Sequence, residues 1–322
     1  MTVLAGLDIG GTKCAVSLGE IKDGSIEVIA KEKFPTPEAP EAAIRLMEQA
    51  LEKLLDDHPD VTIASIGISC GNPLDSKRGL ILSPPNLPNW HEVDIVTPFK
   101  KKFGVEVALQ NDANACALAE WKWGAGKGNR NVVFLTFGTG MGAGLILNGQ
   151  LYSGTNDFAG EVGHMRLENY GPAGYGKNGS FEGFCSGGGI AKYAQMKAEG
   201  ALQVGQVPSF CRSSEELNDI TTKKVGEAAQ EGDPLALEIF EDVAGFLGRG
   251  LAVIIDLFNP EKVIIGSIYG RQQALLEPIV KKTVRKEALS QSLAVCEIVP
   301  GALGESIGDF ACLSVALNAL DE

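Results

Sequence analysis

The sequence predicts an α/β fold in two lobes, each opening on a strand, a glycine turn and a second strand. Three observations predict it. Segments of strand pattern alternate with segments of helical spacing, which gives α/β layers. At the usual ~100–200 residues per domain, a chain of 322 residues spans about two domains. The strand–glycine turn–strand unit occurs twice, near residues 3–18 and 131–147, about 130 residues apart.

Taken in order, Val3–Ile9 is apolar and runs into Gly10-Gly11-Thr12, with strands expected at Cys14–Leu18 and Ile26–Ala30. Pro40–Leu55 carries Ala43, Ile44, Met47, Leu51, Leu54 and Leu55 at helical spacing. Val61–Ser69 is a strand, residues 71–90 read as a proline-rich loop, Val105–Leu109 is a strand and Ala113–Trp123 a helix stopped by Gly124. The design recurs with strands Asn131–Phe137 and Gly144–Leu147 around Gly138-Thr139-Gly140-Met141-Gly142, ending in the hairpin signal Asn148-Gly149. Residues 168–189 are glycine-rich and read as loop. Asp233-Pro234 is an N-cap and N1 pair opening a helix to about Phe258. A strand follows at Val263–Ile265. Leu275–Lys286 is helical, with Pro278 tolerable only in the first turn. A strand at Val295–Val299 and a helix at Ile307–Ala319 close the chain.

Composition narrows the function. Forty glycines, about 12 % against a usual ~7 %, fall in short clusters without a three-residue period. They mark turns and close approaches of backbone to a ligand. The net charge of −13 argues against non-specific grip on nucleic acid, although backbone N–H groups in glycine turns can still hold a phosphate. No apolar run reaches the ~18 residues of a membrane span, and the N-terminus lacks the basic region of a signal peptide. Seven scattered cysteines without C-x-x-C spacing read as buried thiols of a reducing compartment, so a cytoplasmic location is expected. With three histidines, a Cys/His zinc site has little material.

In the first turn, Gly10 and Gly11 let backbone approach an oxyanion, Thr12 adds a hydroxyl donor, and Asp8 at the strand end can hold a hydrated Mg²⁺. The plain alternative is a hairpin turn with Lys13 solvated. Gly138–Ala143 also fits G-x-G-x-x-A, but that fingerprint needs a helix to follow and a strand follows here, which argues against dinucleotide binding. Two phosphate-cradling hairpins remain. Asp112, at a strand-to-helix junction, reads on position alone as an N-cap. Its second reading is a general base at the carboxyl end of a sheet strand. Glu161 and His164, three apart, can share a face, a ligand or a metal, or form a buried histidine satisfied by its neighbour. Glu182 reads on sequence alone as a solvated loop carboxylate.

Four segments occur in order: Asp8-Ile9-Gly10-Gly11-Thr12-Lys13, Leu109-Gln110-Asn111-Asp112-Ala113-Asn114-Ala115, Phe137-Gly138-Thr139-Gly140-Met141-Gly142 and Gly160-Glu161-Val162-Gly163-His164. With them, nearly the whole chain resembles the ROK family (repressors, open reading frames and sugar kinases) of the actin/hexokinase superfamily. The resemblance implies a two-lobed actin/hexokinase-like, ribonuclease H-like fold, with ATP, Mg²⁺ and a hexose in the cleft. The lobes would be residues 1–112 plus 304–322 and residues 113–303. The resemblance implies Asp112 as the base acting on a sugar hydroxyl, normally O6, which reverses the preference for a mere cap. Gly71, Asn86, Asn111, Glu161, His164 and Glu182 would contact the sugar. Asp8, Gly10, Gly11, Thr12, Lys13, Thr139, Gly140 and Gly142 would hold the phosphates, with Gly266 and Ser267 near the adenosine.

Many members of that family carry a C-x-C-G-x-x-G-C-x-E zinc motif. Aligned on Glu182, its cysteine positions here are Ala173, Tyr175 and Ser180, while Gly176 and Gly179 are kept. No structural zinc is therefore expected, and the loop is expected to be held by hydrogen bonds and by packing, with Tyr175 the candidate. The leading function is a glucokinase-like ATP-dependent hexose kinase. The alternatives are a kinase for N-acetylmannosamine, N-acetylglucosamine, fructose, allose or a glucoside, and a sugar-responsive repressor. The repressor is disfavoured by the charge and by the seven residues before Asp8, too few for a recognition helix. The resemblance suggests a homodimer or homotetramer, with no nucleic acid or membrane as partner.

Overall fold

The computed structural model describes residues 1–321. The chain runs β1 (Thr2–Ile9), β2 (Lys13–Lys22), β3 (Ser25–Pro35), α1 (Pro40–Asp56), β4 (Thr62–Cys70), β5 (Leu74–Asp75), β6 (Leu80–Ile81), β7 (Val93–Asp94), α2 (Val96–Phe103), β8 (Glu106–Asn111) and α3 (Asp112–Trp123). It continues with β9 (Val132–Leu135), β10 (Ala143–Leu147), β11 (Gln150–Leu151), β12 (Ala173–Gly174), β13 (Lys177–Asn178), α4 (Phe181–Phe184), α5 (Gly187–Gln203), α6 (Thr222–Gln230) and α7 (Pro234–Phe258). It ends with β14 (Lys262–Ile265), α8 (Ile268–Arg271), α9 (Gln273–Glu287), α10 (Ser290–Leu293), β15 (Glu297–Pro300) and α11 (Ile307–Asp321).

The topology is duplicated. One five-stranded sheet has the order β3-β2-β1-β4-β8 and the other β11-β10-β9-β14-β15, so each reads third, second, first, fourth, fifth strand. In the first, β1 is antiparallel to β2 and parallel to β4, which is parallel to β8. In the second, β14 is parallel to both β9 and β15. The parallel strands end together, so the turns that follow them collect at one end of each sheet.

Two compact units divide the chain. The first comprises Met1–Arg130, Gly144–Ala159 and the stretch from Ala302; the second comprises Asn131–Ala143 and Gly160–Gly301. In the first, the apolar stripe of α1 (Ala43, Met47, Leu51, Leu54) joins Leu7, Val16, Ile66 and Ile68 of the sheet in one core. At about 1.5–3 kcal/mol for each large side chain buried, such a stripe outweighs helix propensity in holding α1. Helix α11 packs on β1 and β4. Glu120 is fully buried, and its carboxylate accepts from the Ala125 and Leu303 amides at 2.8 and 3.0 Å, so the buried charge is satisfied. In the second unit, α7 buries Ile239, Phe240, Val243, Leu247, Leu251 and Ile255, and packs against α9. Asp233 caps α7 by accepting from the Ala236 amide at 2.9 Å, with Pro234 at N1, as the Asp-Pro pair predicts.

Five regions differ from the sequence expectation. Residues 71–90 contain the short strands β5 and β6, which pair with each other, β6 pairing in turn with β7; two-residue strands leave no periodicity to read. The stretch 168–189 is an ordered hairpin followed by α4 and the start of α5. Helix α5 opens on Gly187-Gly188-Gly189, poor helix formers that the Ser186 cap compensates, its Oγ accepting from the Gly189 amide at 2.9 Å. Helices α2 and α6 carry no strong sequence signal. Pro278 lies in the second turn of α9, because that helix starts at Gln273; the lost ladder bond is offset by burial of Leu276, Val280 and Val284. Among the described residues no helix is long and apolar enough to cross a membrane.

Candidate functional site

In the first unit the register explains why the candidate residues meet. Ile9 lies beside Cys70, and Cys70 beside Asn111, so β1, β4 and β8 end in one row. Beyond that row lie the Gly10–Lys13 turn, Gly71 and Asp112. The turn is closed by the Gly10 amide donating to the Lys13 carbonyl at 3.1 Å. Gly11 has no room for a side chain: a Cβ there would stand 2.6 Å from the Asn86 Cβ and 2.8 Å from its carbonyl oxygen. The phosphate-turn candidate and the Asn86 loop are therefore in direct contact. Gly11, Thr12, Lys13, Asn86 and Asp112 are exposed.

The expectation that Asp112 caps α3 is corrected. Asn111 is the N-cap, its side-chain oxygen accepting from the Asn114 amide at 2.8 Å, and Asp112 is the first helical residue. Asn and Asp cap equally well, so sequence alone leaves a one-residue ambiguity. The outcome matters chemically: the capping bond is made by a buried neutral amide, while the Asp112 carboxylate accepts from the Ala113 amide at 2.8 Å and is exposed at the positive end of the helix.

Asp8 is the electrostatic centre of this unit. Burial, then the charges of Asp112 and Asp309, push its carboxyl up to about 6, against the opposing pull of Lys31 and Lys33. Asp309, in the first turn of α11, is ion-paired with Lys31. A recessed carboxylate crowded by two others is a place where a cation is favoured, so the donor set fits a hydrated Mg²⁺ held through water by Asp8. Among the described residues no group of three or more His, Cys, Asp or Glu could bind a metal directly.

Sequence reasoning missed Asp157. It is buried, has a left-handed backbone (φ 62°), and accepts from the Ser76 amide and hydroxyl, both at 2.8 Å. Its carbonyl accepts from Asn72 at 3.2 Å and more distantly from Asn111 at 3.5 Å. Asp157 thus ties the loop after Gly71 to the residue preceding Asp112. The only local signal was its place in a Gly-Thr-Asn-Asp turn.

In the second unit, the Gly138–Gly142 turn leads from β9 to β10. Its amides are largely engaged: Gly138 donates to the Thr136 and Gly140 carbonyls, Gly142 to Thr136 Oγ1 at 2.9 Å, and Met141 to Glu182 Oε2 at 3.0 Å. The Gly187 and Gly188 amides at the start of α5 donate to the carbonyls of Gly138 and Thr139. Beside the turn lies a cavity of about 830 Å³, lined by Gly138, Thr139, Gly188, Thr222, Ser267 and Gln272 among others. Ser267 has φ 54°, an uncommon conformation for a serine, and its Oγ accepts from Arg271 at 2.7 Å. The α5, α6 and α8 residues of this wall were not expected; the glycine run after Ser186 was their one visible signal.

Glu161, His164 and Glu182 gather near this turn. Glu161 precedes the 3₁₀ turn Val162–His164, a geometry in which residues three apart align, and both side chains are exposed. Glu182 is not a loop residue: it sits in the first turn of α4, which Ser180 caps by accepting from the Gly183 amide at 3.1 Å. The aligned cysteine positions have taken other roles. Ser180 is that cap. The Ala173 carbonyl accepts from Lys192 at 3.1 Å, and Tyr175 with Gly176 forms the turn of the β12–β13 hairpin. Tyr175 does not pack the loop inward: it is 74 % exposed, and its ring meets the edge of His164. Backbone bonds hold the loop, with Phe181 donating to Met165 at 2.8 Å and Leu167 and Glu168 both to Gly179, over the buried rings of Phe181 and Phe184.

Known proteins resemble the chain over its whole length. A glucokinase of Streptomyces coelicolor is 31 % identical over 310 residues, covering 96 % of this chain and 95 % of that one. The xylose repressor of Bacillus subtilis is 26 % identical over 97 % of this chain and 76 % of its own. Among solved structures, a ROK family glucokinase from Streptomyces griseus in complex with glucose and AMPPNP aligns with TM-score 0.75 and 28 % identity, over 99 % of this chain and all of that one. The sequence pattern of the ROK family matches residues 4–315, and the chain belongs to that family.

Proposed function

We propose that the chain is an ATP-dependent sugar kinase that transfers the γ-phosphoryl group to a hexose hydroxyl, O6 of glucose or a close relative, with Asp112 as general base. The glucokinase relatives and the nucleotide–sugar complex of a family member support the kinase class. The observation that carries the residue assignment is the division of labour at β8–α3: Asn111 makes the capping bond, and Asp112 presents its carboxylate beside Asp8 and the first glycine turn.

In this reading Asp112 accepts the hydroxyl proton as the sugar oxygen bonds to the γ-phosphorus and the bond to the β-phosphate oxygen breaks, releasing ADP. The first turn's Gly10–Thr12 and the Thr139 and Gly140 amides steady the phosphates, and the cavity beside Ser267 takes the adenosine. Mg²⁺ held by Asp8 would supply charge neutralisation of the triphosphate. Glu161, His164, Glu182, Asn111, Asn86 and Gly71 orient the sugar, so that the reacting hydroxyl meets the base and water is kept from competing.

A coupled ADP-release assay over a panel of hexoses and amino sugars tests the reading. Glucose is expected to be among the best acceptors, and Asp112→Asn to lower turnover by about 10²–10⁴-fold while nucleotide binding persists. Wild-type rates in that variant would overturn the base assignment. Absence of transfer to every sugar would instead favour a sensor, in the manner of the repressor relatives.

A further inference from the structure

Glu182 occupies a junction. Its Oε2 accepts from the Met141 amide, inside the second glycine turn, at 3.0 Å. The approach depends on missing side chains: a Cβ on Gly140 would stand 3.0 Å from that same oxygen, and one on Gly163, next to His164, would run into the Met141 carbonyl and lie 3.2 Å from the Glu182 Cβ. Three segments therefore close on one side chain: the 138–142 turn, the 160–164 segment and helix α4. Among the described residues Oε1 has no hydrogen bond, and the side chain is half-buried. Glu182 is also an anion seated in a turn whose amides are suited to hold another anion.

We propose that Glu182 couples the two substrates: Oε1 accepts a sugar hydroxyl while Oε2 keeps the Met141 amide, so that bound sugar tightens the hold of the turn on the phosphates of the donor. The inference rests on the sugar-kinase reading above. The physical cause is charge. Without sugar, the carboxylate repels an incoming phosphate from the turn. A hydroxyl donated to Oε1 disperses that charge and fixes the side chain, and with it Met141. By reciprocity, donor binding tightens sugar binding by the same factor.

The test is calorimetric titration of AMPPNP with Mg²⁺ into wild type and Glu182→Gln, with and without saturating glucose. Glutamine keeps an oxygen for the Met141 amide and an amide for the sugar, but carries no charge. In the wild type glucose is expected to tighten AMPPNP binding about tenfold, within the ordinary range of coupling between sites. In Glu182→Gln, AMPPNP without sugar is expected to bind more tightly than to wild type, and the glucose effect to fall below about twofold. A second readout needs no variant: the Met141 amide resonance is expected to shift on adding glucose alone. A wild-type glucose effect retained in Glu182→Gln, or a Met141 resonance unmoved by glucose, overturns the coupling while leaving the kinase reading intact if ADP release persists. Absence of transfer to any sugar overturns both.

Discussion

The two glycine turns are alike in sequence and topology, yet they differ in what stands behind them. The Gly10–Lys13 turn is backed by main chain and by the Cβ of Asn86, and its neighbours are the carboxylates Asp8, Asp112 and Asp309. The Gly138–Gly142 turn is backed by side-chain acceptors, Thr136 and Glu182, and by the start of α5. A duplicated scaffold has thus been specialised. The first turn is backed by atoms that cannot retreat and lies among carboxylates. The second is adjustable, because the group against its glycine is the end of a side chain that can move.

Alanine at equivalent positions should break that symmetry most visibly. In Gly11→Ala the new Cβ meets backbone that cannot retreat, so either the turn or the Asn86 loop must move. Since a displacement of ~1 Å can cost about a hundredfold in rate, kcat/KM is expected to fall by about that much, with KM raised for sugar and ATP together. In Gly140→Ala the neighbour is the Glu182 carboxylate at 3.0 Å, which can swing away. The expected loss is under about tenfold and falls on the donor and, through Glu182, on the sugar, on the scale of one hydrogen bond to a charged group. Steady-state kinetics on both variants decide it; equal losses would show the two turns to be equivalent.

The support under each turn can be weakened one bond at a time. Ser76→Ala removes the hydroxyl bond to Asp157 but leaves the amide bond, so the loop after Gly71 is loosened rather than released. At about 0.5–1.5 kcal/mol for such a bond, sugar KM is expected to rise by roughly two- to tenfold while ATP KM stays unchanged. A matching rise in ATP KM would mean that Asp157 supports the whole unit rather than the sugar loop.

Much of this organisation was legible. The duplicated strand–turn–strand units, the α1 stripe and the Asp233-Pro234 helix start are local patterns, and the sequence carries local patterns directly. What stayed hidden is non-local or balanced on one residue. Asp157 meets Ser76 from 81 residues away, and Glu182 meets Met141 from 41, distances at which no spacing rule operates. The choice between Asn111 and Asp112 as cap turns on backbone angles, with Asn111 extended at φ −70° and ψ 159°, because the two side chains have nearly the same capping propensity. Helix α5 was obscured by its three opening glycines, which disfavour helix by propensity yet allow the close approach of Gly187 and Gly188 to the Gly138–Gly142 turn.

The caps of the two units give the smallest effect and the cleanest contrast. Asn111 caps α3 as a neutral group beside Asp112, whereas Asp233 caps α7 as an ionised one that accepts from the Ser209 and Ala236 amides, neither of them a candidate site residue. Burial pushes the Asp233 carboxyl up, but the Ser209 and Ala236 amides aimed at it prevail and hold it below its usual value. A depressed folded-state pKa contributes stability above the unfolded value of ~3.9, and that stability is lost as pH falls through the folded value. Asp233→Ala is therefore expected to cost about 1 kcal/mol at neutral pH, a melting-temperature drop of about 2 °C, with kcat unchanged. The gap from wild type should stay constant between about pH 7 and 5 and close below about pH 4. Melting curves across that range, paired with turnover at neutral pH, test both halves. A fall in kcat with Asp233→Ala would mean that α7 reaches the chemistry after all, and that the division between a working cap in one unit and a purely structural cap in the other is wrong.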